Sequence, residues 1–218
     1  MAVKIGLLSD VHATAAPLQE TLAIFRYVGV EQVLCAGDVA GYGDELERSI
    51  ALLREDGCLV VLGNHDLWWS ERHRQEAHGE AAEYLRGLPE RLEFSAAGKT
   101  ICMVHASPLG CLMEGIRLLD EDATVIPQKR AFWSDYLQSF AADVLVVGHT
   151  HQVFVEQLGH PLVVNPGSTR FNHTCAILTL PELTIEFLPL SGRTPVLSWN
   201  WGMEGAEQWS RDAGRGAP

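Results

Sequence analysis

The sequence VKIGLLSDVH, residues 3–12, decides the fold prediction. Its apolar run, residues 3–8, is short and closed by polar residues, a pattern typical of a buried strand. In open α/β sheets, ligand sites lie just beyond the carboxyl ends of the strands. On an extended chain Asp10 and His12 point the same way, so an oxygen and an imidazole nitrogen can bind one cation. Taken alone, the pair fits a helix cap and a solvated histidine at least as well.

The same pattern, an apolar run followed by metal-capable side chains, recurs along the chain. Further runs end at residues 36, 62, 104 and 147, and each is followed within two residues by an aspartate, asparagine or histidine. This repetition favours a shared site over chance. The candidate ligands are Asp10, His12, Asp38, Asn64, His105, His149 and His151.

The candidate ligands offer only oxygen and imidazole nitrogen, which argues against a structural zinc site of thiolates. Four ligands suffice for one ion, whereas seven with one shared carboxylate suit two adjacent ions. Two divalent metals about 3.5–4 Å apart serve in-line displacement at phosphorus, because they acidify a bridging water and offset developing charge. The donors suit Mn²⁺, Fe, Co²⁺, Ni²⁺ or Zn²⁺, and they do not select among these ions.

Length and composition set the broad class of the protein. The 218 residues suit one domain, and 47% of them are hydrophobic, enough for a sizeable core. The net charge of −12 argues against binding to a nucleic-acid polymer or an anionic membrane surface, since both need a basic face. No signal peptide and no apolar stretch near the ~20 residues of a membrane span are evident, so we expect a cytoplasmic location.

The later chain divides into a domain and a tail. A helix is predicted over about residues 128–140, burying Phe132, Trp133, Tyr136 and Leu137. The loop after His105 is long enough to form a lid or a wall of the substrate site. Composition shifts at residue 191, so we predict a domain over 1–190 and a tail over 191–218. That tail is either poorly ordered or packed, through its tryptophans, on the domain or on a partner subunit of a homo-oligomer.

Together the motifs resemble the calcineurin-like metallophosphoesterases, whose pattern is D-x-H, G-D, G-N-H-D or G-N-H-E, a lone histidine, then G-H-x-H. The pattern occurs here in the family's order and spans most of residues 1–190. The resemblance implies a four-layer α-β-β-α sandwich, two mixed β-sheets flanked by helices, with the metals at the strand ends. The matching segments are Asp10-Val11-His12, Gly37-Asp38, Gly63-Asn64-His65-Asp66, His105 and Gly148-His149-Thr150-His151.

The resemblance also implies a role for each residue. The implied first ion is held by Asp10, His12 and His151, the second by Asn64, His105 and His149, and both by Asp38. His65 is implied to lie near the leaving group as a general acid, with Asp66 orienting it. The residues support His65 independently, because neighbours on an extended chain point apart and Asn64 and His65 do not easily bind one ion. Capping a helix is an equally good interpretation of Asp66.

Two segments, Gly37–Gly43 and Asn165–Ser168, resemble the small bacterial and archaeal phosphodiesterase branch, often labelled as related to diadenosine tetraphosphatases. The segment after Ser168 departs from that branch, which leaves substrate contacts open. Arg170 fits either a contact to a phosphoryl oxygen or an ordinary surface arginine. Trp68 and Trp69 fit either a cleft wall that stacks on a base or an anchor in the core.

Three functions compete for this set of residues. The first is a hydrolase of phosphodiesters, or else of phosphomonoesters or nucleotides, acting through a hydroxide that bridges two metals. The second is a non-catalytic metal-binding scaffold for protein interaction, which would have no need of the proton donor His65. The third is a dinuclear hydrolase of another bond, such as an amide, which the D-x-H start and the asparagine ligand fit poorly.

Overall fold

Two five-stranded sheets form the centre of the computed structural model, which describes residues 2–73 and 79–200. The first sheet has the order β10-β9-β1-β2-β3, and the second has the order β4-β5-β6-β8-β7. Both are mixed, since β1 is parallel to β2 and antiparallel to β9, and β8 is parallel to β6 and antiparallel to β7. The strands are β1 (Val3–Leu8), β2 (Gln32–Cys35), β3 (Leu59–Val60), β4 (Arg91–Ala96), β5 (Lys99–Val104), β6 (Val144–Val146), β7 (Val153–Gln157), β8 (Leu162–Pro166), β9 (Thr174–Leu180) and β10 (Thr184–Pro189). The helices are α1 (Ala15–Val28), α2 (Leu46–Glu55), α3 (Asn64–Arg72), α4 (Glu80–Arg86) and α5 (Pro127–Tyr136).

The core consists of three apolar layers, and strand periodicity assigns residues to them. Alternate side chains of β1 face opposite ways, so Leu7 packs between the two sheets while Leu8 packs beneath α1 and α2. On the far side, Trp133 of α5 packs on the outer face of the second sheet. Helix, sheet, sheet and helix therefore stack in four layers, and the predicted sandwich is confirmed.

Two local predictions need correction. Asn64 and His65 occupy the first turn of α3, whereas the sequence analysis assumed an extended segment there. In α5, Trp133 and Leu137 are buried as predicted, but Phe132 and Tyr136 are 54% and 46% exposed. Residues four apart share a helix face, so the apolar residues of α5 form two stripes, of which only one meets the sheet.

The segment after the last strand returns to the body of the protein. The amide of Val153 donates to the carbonyl of Leu197, and the amide of Trp199 donates to the carbonyl of His151. Residues up to 200 therefore pack beside the loop that carries two candidate ligands, and the prediction for residues 201–218 lies outside the described residues. Within the described ranges, no helix combines the length and apolar character needed to cross a membrane.

Candidate metal centre

The structure brings all seven candidate ligands to the end of the sandwich where the parallel strands finish. Backbone hydrogen bonds hold their loops in register. Asp10 N–H donates to Gly37 C=O at 3.0 Å, and His12 N–H donates to Asp38 C=O at 2.9 Å. In the second sheet, Gly148 N–H donates to His105 C=O at 2.7 Å. Backbone hydrogen bonds alone therefore join the loops that follow neighbouring strands.

Three buried ligands form the first triad, Asp10, His12 and His151. The Nε2 atoms of His12 and His151 lie 3.0 Å apart, and Nε2 of His151 lies 3.3 Å from Oδ1 of Asp10. Nε2 of His12 is 3.8 Å from the same oxygen. Electron-pair donors that converge in this way repel one another unless a proton or cation lies between them.

The second triad, Asn64, His105 and His149, converges on an amide oxygen. Oδ1 of Asn64 is 2.9 Å from Nε2 of His105 and 2.8 Å from Nδ1 of His149. Asn64 and His105 are buried, and His149 is half-buried at the edge of a cavity. This triad is therefore the more accessible of the two.

Asp38 lies between the two triads. Its Oδ2 is 3.4 Å from Nε2 of His105, and its Oδ1 accepts the backbone N–H of His65 at 2.8 Å. Its carboxylate groups with Asp10 and His105 in one candidate cation cluster and with His12 and His65 in another. A carboxylate in this position is the shared ligand that a two-ion site needs.

Backbone carbonyls determine which nitrogen of three histidines faces the centre. Nδ1 of His12 contacts the Ala40 carbonyl at 3.3 Å, Nδ1 of His105 contacts the Ala36 carbonyl at 2.7 Å, and Nε2 of His149 contacts the Met113 carbonyl at 3.2 Å. Since a carbonyl only accepts, each of these outer nitrogens carries the proton. In its neutral form, each ring then directs the lone pair of its opposite nitrogen at its triad, as metal-binding histidines do. The donor set and its orientation fit divalent cations.

Burial and the charges of neighbouring residues shift the pKa values of the candidate ligands in opposite directions. Burial lowers the pKa of His12 to about 3, against the attraction of Asp38 and Asp10. Burial also opposes a charge on His105, but Asp38 beside it outweighs burial and raises the His105 pKa to about 10. The pKa of Asp38 falls below its usual value, because His105 outweighs the opposing effect of burial. Cation binding at neutral pH therefore has to displace a proton from His105.

Five of the ligands adopt the left-handed backbone conformation. Their φ angles lie between 48° and 65°, and the residues are Asp10, His12, Asp38, His149 and His151. This region costs a non-glycine residue roughly 1–2 kcal/mol. The extended geometry that the sequence analysis assumed for Asp10 and His12 is therefore wrong, although their side chains do meet. Tight turns, rather than strand alternation, aim these ligands.

His65 borders both triads but lies nearer to solvent. Its Nε2 is 3.2 Å from the hydroxyl of Tyr42, and its ring packs edge-on against those of His12 and Trp68. Burial lowers the pKa of His65, and the attraction of Asp38 only partly offsets this. The sequence analysis quoted Tyr42 within a motif and assigned it no role; the structure places it against the predicted general acid.

Asp66 is buried and contacts backbone rather than a side chain. Its carboxylate accepts N–H groups from Ala40 at 2.7 Å and from Gly63 at 2.9 Å. Burial first, and the nearby charge of Asp38 second, raise its pKa to about 7. Asp66 thus caps the start of α3 and joins the loop that follows β2 to the loop that follows β3.

A second group of positioning residues lies at the end of β8 and in the segment after it, and this role was not predicted. Asn165 donates to the Gly148 carbonyl at 3.0 Å and to Oγ1 of Thr150 at 3.1 Å. Ser168 donates to the Asp10 carbonyl at 2.6 Å, and Asn172 donates to the His151 carbonyl at 2.8 Å. The signal was present in the sequence, since Asn-Pro-Gly-Ser after an apolar run repeats the strand-end pattern, but its side chains bind loops rather than a cation.

Arg170 packs over the first triad without facing the cavity. Its Nη1 donates to Oγ1 of Thr14 at 2.8 Å, and its guanidinium lies 5.1 Å from the centre of the Phe171 ring. Phe171 in turn stacks on His151 at 5.0 Å. These contacts support a structural role for Arg170.

A cavity of about 700 Å³ opens beside the triads. Asp38, Asn64 and His149 form its inner wall, and Trp68 and Trp199 line it further out. Trp69 instead packs against the core beneath the first sheet. Of the two interpretations, the cleft wall therefore applies to Trp68 and the core anchor to Trp69.

The geometry defines a protein with a candidate site for two metal ions, and comparison with known proteins identifies the family. A family model described as the calcineurin-like phosphoesterase superfamily domain matches residues 3–182. The chain belongs to this superfamily, which confirms the resemblance seen in the sequence.

Relatives share the fold at low sequence identity. The uncharacterized protein MJ0912 of Methanocaldococcus jannaschii is 24% identical, over 75% of this chain and 68% of that protein. A metallophosphoesterase from Sphaerobacter thermophilus superposes with a TM-score of 0.66 and 21% identity, covering 98% of this chain and 95% of the other. The hypothetical protein PH1004 from Pyrococcus horikoshii OT3 gives a TM-score of 0.69 at 17% identity, covering 96% and 94%.

Proposed function

We propose that this protein is a phosphoesterase that uses two divalent transition-metal ions to hydrolyse small phosphodiesters, with His65 as the general acid. One observation carries the proposal: two triads of metal-capable atoms lie on either side of Asp38, which groups with atoms of both. A site for a single ion needs no second triad. Membership of a phosphoesterase superfamily agrees with this arrangement.

Each ligand has a definite part in the proposal. The first triad would hold one ion, the second triad the other, and Asp38 both. When bound, two such ions acidify water and neutralise charge on a phosphoryl group. The Ala36, Ala40 and Met113 carbonyls keep three imidazoles in the tautomer that binds a cation. Asp66 and Asn165 hold the loops that carry these ligands.

His65 would supply the proton that the departing alkoxide needs. It is half-buried, its ring nitrogen contacts the Tyr42 hydroxyl, and it lines the cavity with Asp38. A general acid has to be protonated, and its lowered pKa means that the protonated fraction falls towards neutral pH. Tyr42 would help to hold the ring at the edge of the cavity, which both residues line.

Hydrolysis of chromogenic esters tests the proposal directly. Purified protein is loaded in turn with Mn²⁺, Fe²⁺, Co²⁺, Ni²⁺ or Zn²⁺ and assayed on bis-p-nitrophenyl phosphate and p-nitrophenyl phosphate. We expect hydrolysis with at least one ion and loss of that activity in His149→Ala, whereas the control His160→Ala, an exposed loop histidine, retains it. Protein that binds two equivalents of metal and hydrolyses neither ester would contradict the proposal and favour a scaffold.

A further inference from the structure

We propose that the cavity beside the metal centre binds an aromatic organic phosphate bearing a second anionic group, such as a nucleotide with two or more phosphates. Trp68 and Phe132 would contact the aromatic group, and Arg117 and Lys129 the second anion. The proposal rests on the proposed function, because the first phosphate is taken to lie at the triads. The proposal adds a substrate class, selected by the wall of this cavity.

The size of the cavity indicates a substrate larger than a simple phosphate ester. Its volume of about 700 Å³ falls within the roughly 300–1,000 Å³ of sites that enclose whole organic ligands. The two triads occupy only its inner wall. The outer wall, formed by later residues of α3, by α5 and by residues 109–117 of the loop after β5, contains none of the seven candidate ligands. That wall is therefore available to bind the rest of a substrate.

Exposed apolar surface is concentrated on this wall. Ten large hydrophobic side chains are exposed in the described part of the chain, and five of them line the cavity. Surface of this kind is tolerated when a ligand covers it. Trp68, 42% exposed, lies with its ring 4.9 Å from that of His65, so a ring stacked on Trp68 would lie beside the leaving group. The five residues are Tyr42, Trp68, Leu109, Met113 and Phe132.

Two cations on the same wall, Arg117 and Lys129, form no ion pair with any residue that the structure describes. Among the described residues, no carboxylate lies within ion-pair distance of Arg117 or Lys129, although the chain carries a net charge of −12. Besides Asp38, the described residues of the wall include one carboxylate, Glu114, so its outer part is net positive. Cations elsewhere in the described ranges that pair with carboxylates include Arg26, Arg48, Arg54, Arg91, Lys99 and Arg130.

The backbone positions of the two cations are fixed by other contacts. Arg117 precedes Leu118, whose amide donates to Oε1 of Gln152 at 2.9 Å, so the loop is tied to the second sheet. Lys129 and Phe132 lie three residues apart on α5 and face the cavity together. Arg130, one residue further on, instead pairs with Glu156. A cation and an aromatic ring are thus presented on one face of a helix.

The affinities of three ligands test the aromatic residues and the cations of this wall separately. Calorimetry measures the dissociation constants of inorganic phosphate, AMP and α,β-methylene-ADP, which is not hydrolysed at its bridge, with metal-loaded protein. We expect AMP to bind more tightly than phosphate and α,β-methylene-ADP more tightly than AMP. In the double variant Arg117→Gln, Lys129→Gln the gain from the second phosphate should fall by about 10-fold, as loss of two partly exposed ion pairs allows. In Phe132→Ala or Trp68→Ala the gain of AMP over phosphate should fall by about 5–10-fold.

Neighbouring residues supply matched controls. Arg130→Gln and Tyr136→Ala change the same helix, but neither residue lines the cavity, so both gains should persist. Equal affinity for AMP and α,β-methylene-ADP, or the same loss for all three ligands in the double variant, would overturn the assignment of the cations. A protein that hydrolyses no ester with any metal would contradict the proposed function, while the three affinities would still show whether the wall selects nucleotides.

Discussion

The two sheets contribute different chemistry to the same centre. Segments after the strands of the first sheet supply the three candidate oxygen ligands, Asp10, Asp38 and Asn64, together with His12. Loops after the strands of the second sheet supply only imidazoles, from His105, His149 and His151. Negative charge is thus concentrated on one half of the sandwich, and neutral or protonated nitrogen on the other.

Neither half can build a triad alone. The first triad combines two first-sheet ligands with His151, and the second combines Asn64 with two second-sheet histidines. Any ion held by a triad would therefore link the two sheets. The centre is a product of sheet packing, and in return its ions should stabilise that packing.

The largest effect is expected from Asp38→Asn, which removes the first-sheet charge shared by both triads. An amide of the same shape cannot supply an anionic shared ligand, so metal content should fall from about two equivalents to about zero and activity below detection. Elemental analysis and ester hydrolysis measure both quantities. Asp44→Asn changes an exposed carboxylate in the same loop and should have no effect. Full activity in Asp38→Asn would show that the two triads need no anionic ligand between them.

His65→Ala removes a first-sheet histidine that belongs to neither triad. Metal content should persist while turnover of alkyl phosphate esters falls by about 10²–10⁴-fold, because poor leaving groups need a proton. Esters of p-nitrophenol serve as the control and should change far less. Since burial lowers the pKa of His65 below 6.5, alkyl ester turnover should decline as pH rises through that pKa, and this limb should vanish in the variant. An identical loss for both kinds of ester would remove the general-acid role.

Removal of the ions tests whether they link the sheets. Each ion at about 100 times its dissociation constant stabilises a folded protein by about 3 kcal/mol, so two independent ions contribute about 6 kcal/mol. Chelation should therefore lower the melting temperature of a domain of this size by about 12–24 °C. Calorimetric scans with and without chelator measure the shift, and Asp38→Asn should show none. If the chelator leaves the melting temperature of the native sequence unchanged, the sheets pack equally well without ions.

The smallest effect is expected from Asn165→Ala, which acts on the second-sheet half alone. The loop bearing His149 and His151 loses the side-chain hydrogen bonds to Gly148 and Thr150. Residues that orient ligands in this way are worth about 10–100-fold in metal affinity. Competition with a metal-binding dye measures the change. Gln157→Ala removes an exposed amide that binds only the adjacent turn, and it should leave affinity intact.

The convergence of the candidate ligands could be predicted from sequence because each lies within five residues after a strand. An apolar run and its closing polar residues are local, so Asp38 and His105 can be recognised one segment at a time. The fold followed from the order of these segments and the family they resemble. Local geometry was less secure: the meeting of Asp10 and His12 was predicted from an extended chain, whereas left-handed turns bring them together.

The sequence suggested Trp68 and the loop after His105 as parts of a cavity wall, but the full wall could not be predicted, because its parts are far apart in the chain. Trp68, Arg117 and Phe132 become neighbours only when α3, α5 and the loop after β5 pack over the sheets. Which apolar stripe of α5 faces the second sheet also depends on that packing, so the exposure of Phe132 had no local signal. The same holds for Tyr42, whose partner His65 lies 23 residues away.

The left-handed turns at the five ligands have a consequence for engineering. Glycine adopts such dihedral angles without the clash that a β-carbon causes, so replacing His12 or His149 by glycine would relax the backbone while deleting a ligand. In the absence of metal ions, tolerance to heat and capacity to hold cations are therefore expected to be opposing targets at these positions. A selection for thermal robustness of metal-free protein would favour inert variants, whereas a selection for turnover would retain the strained backbone of these loops.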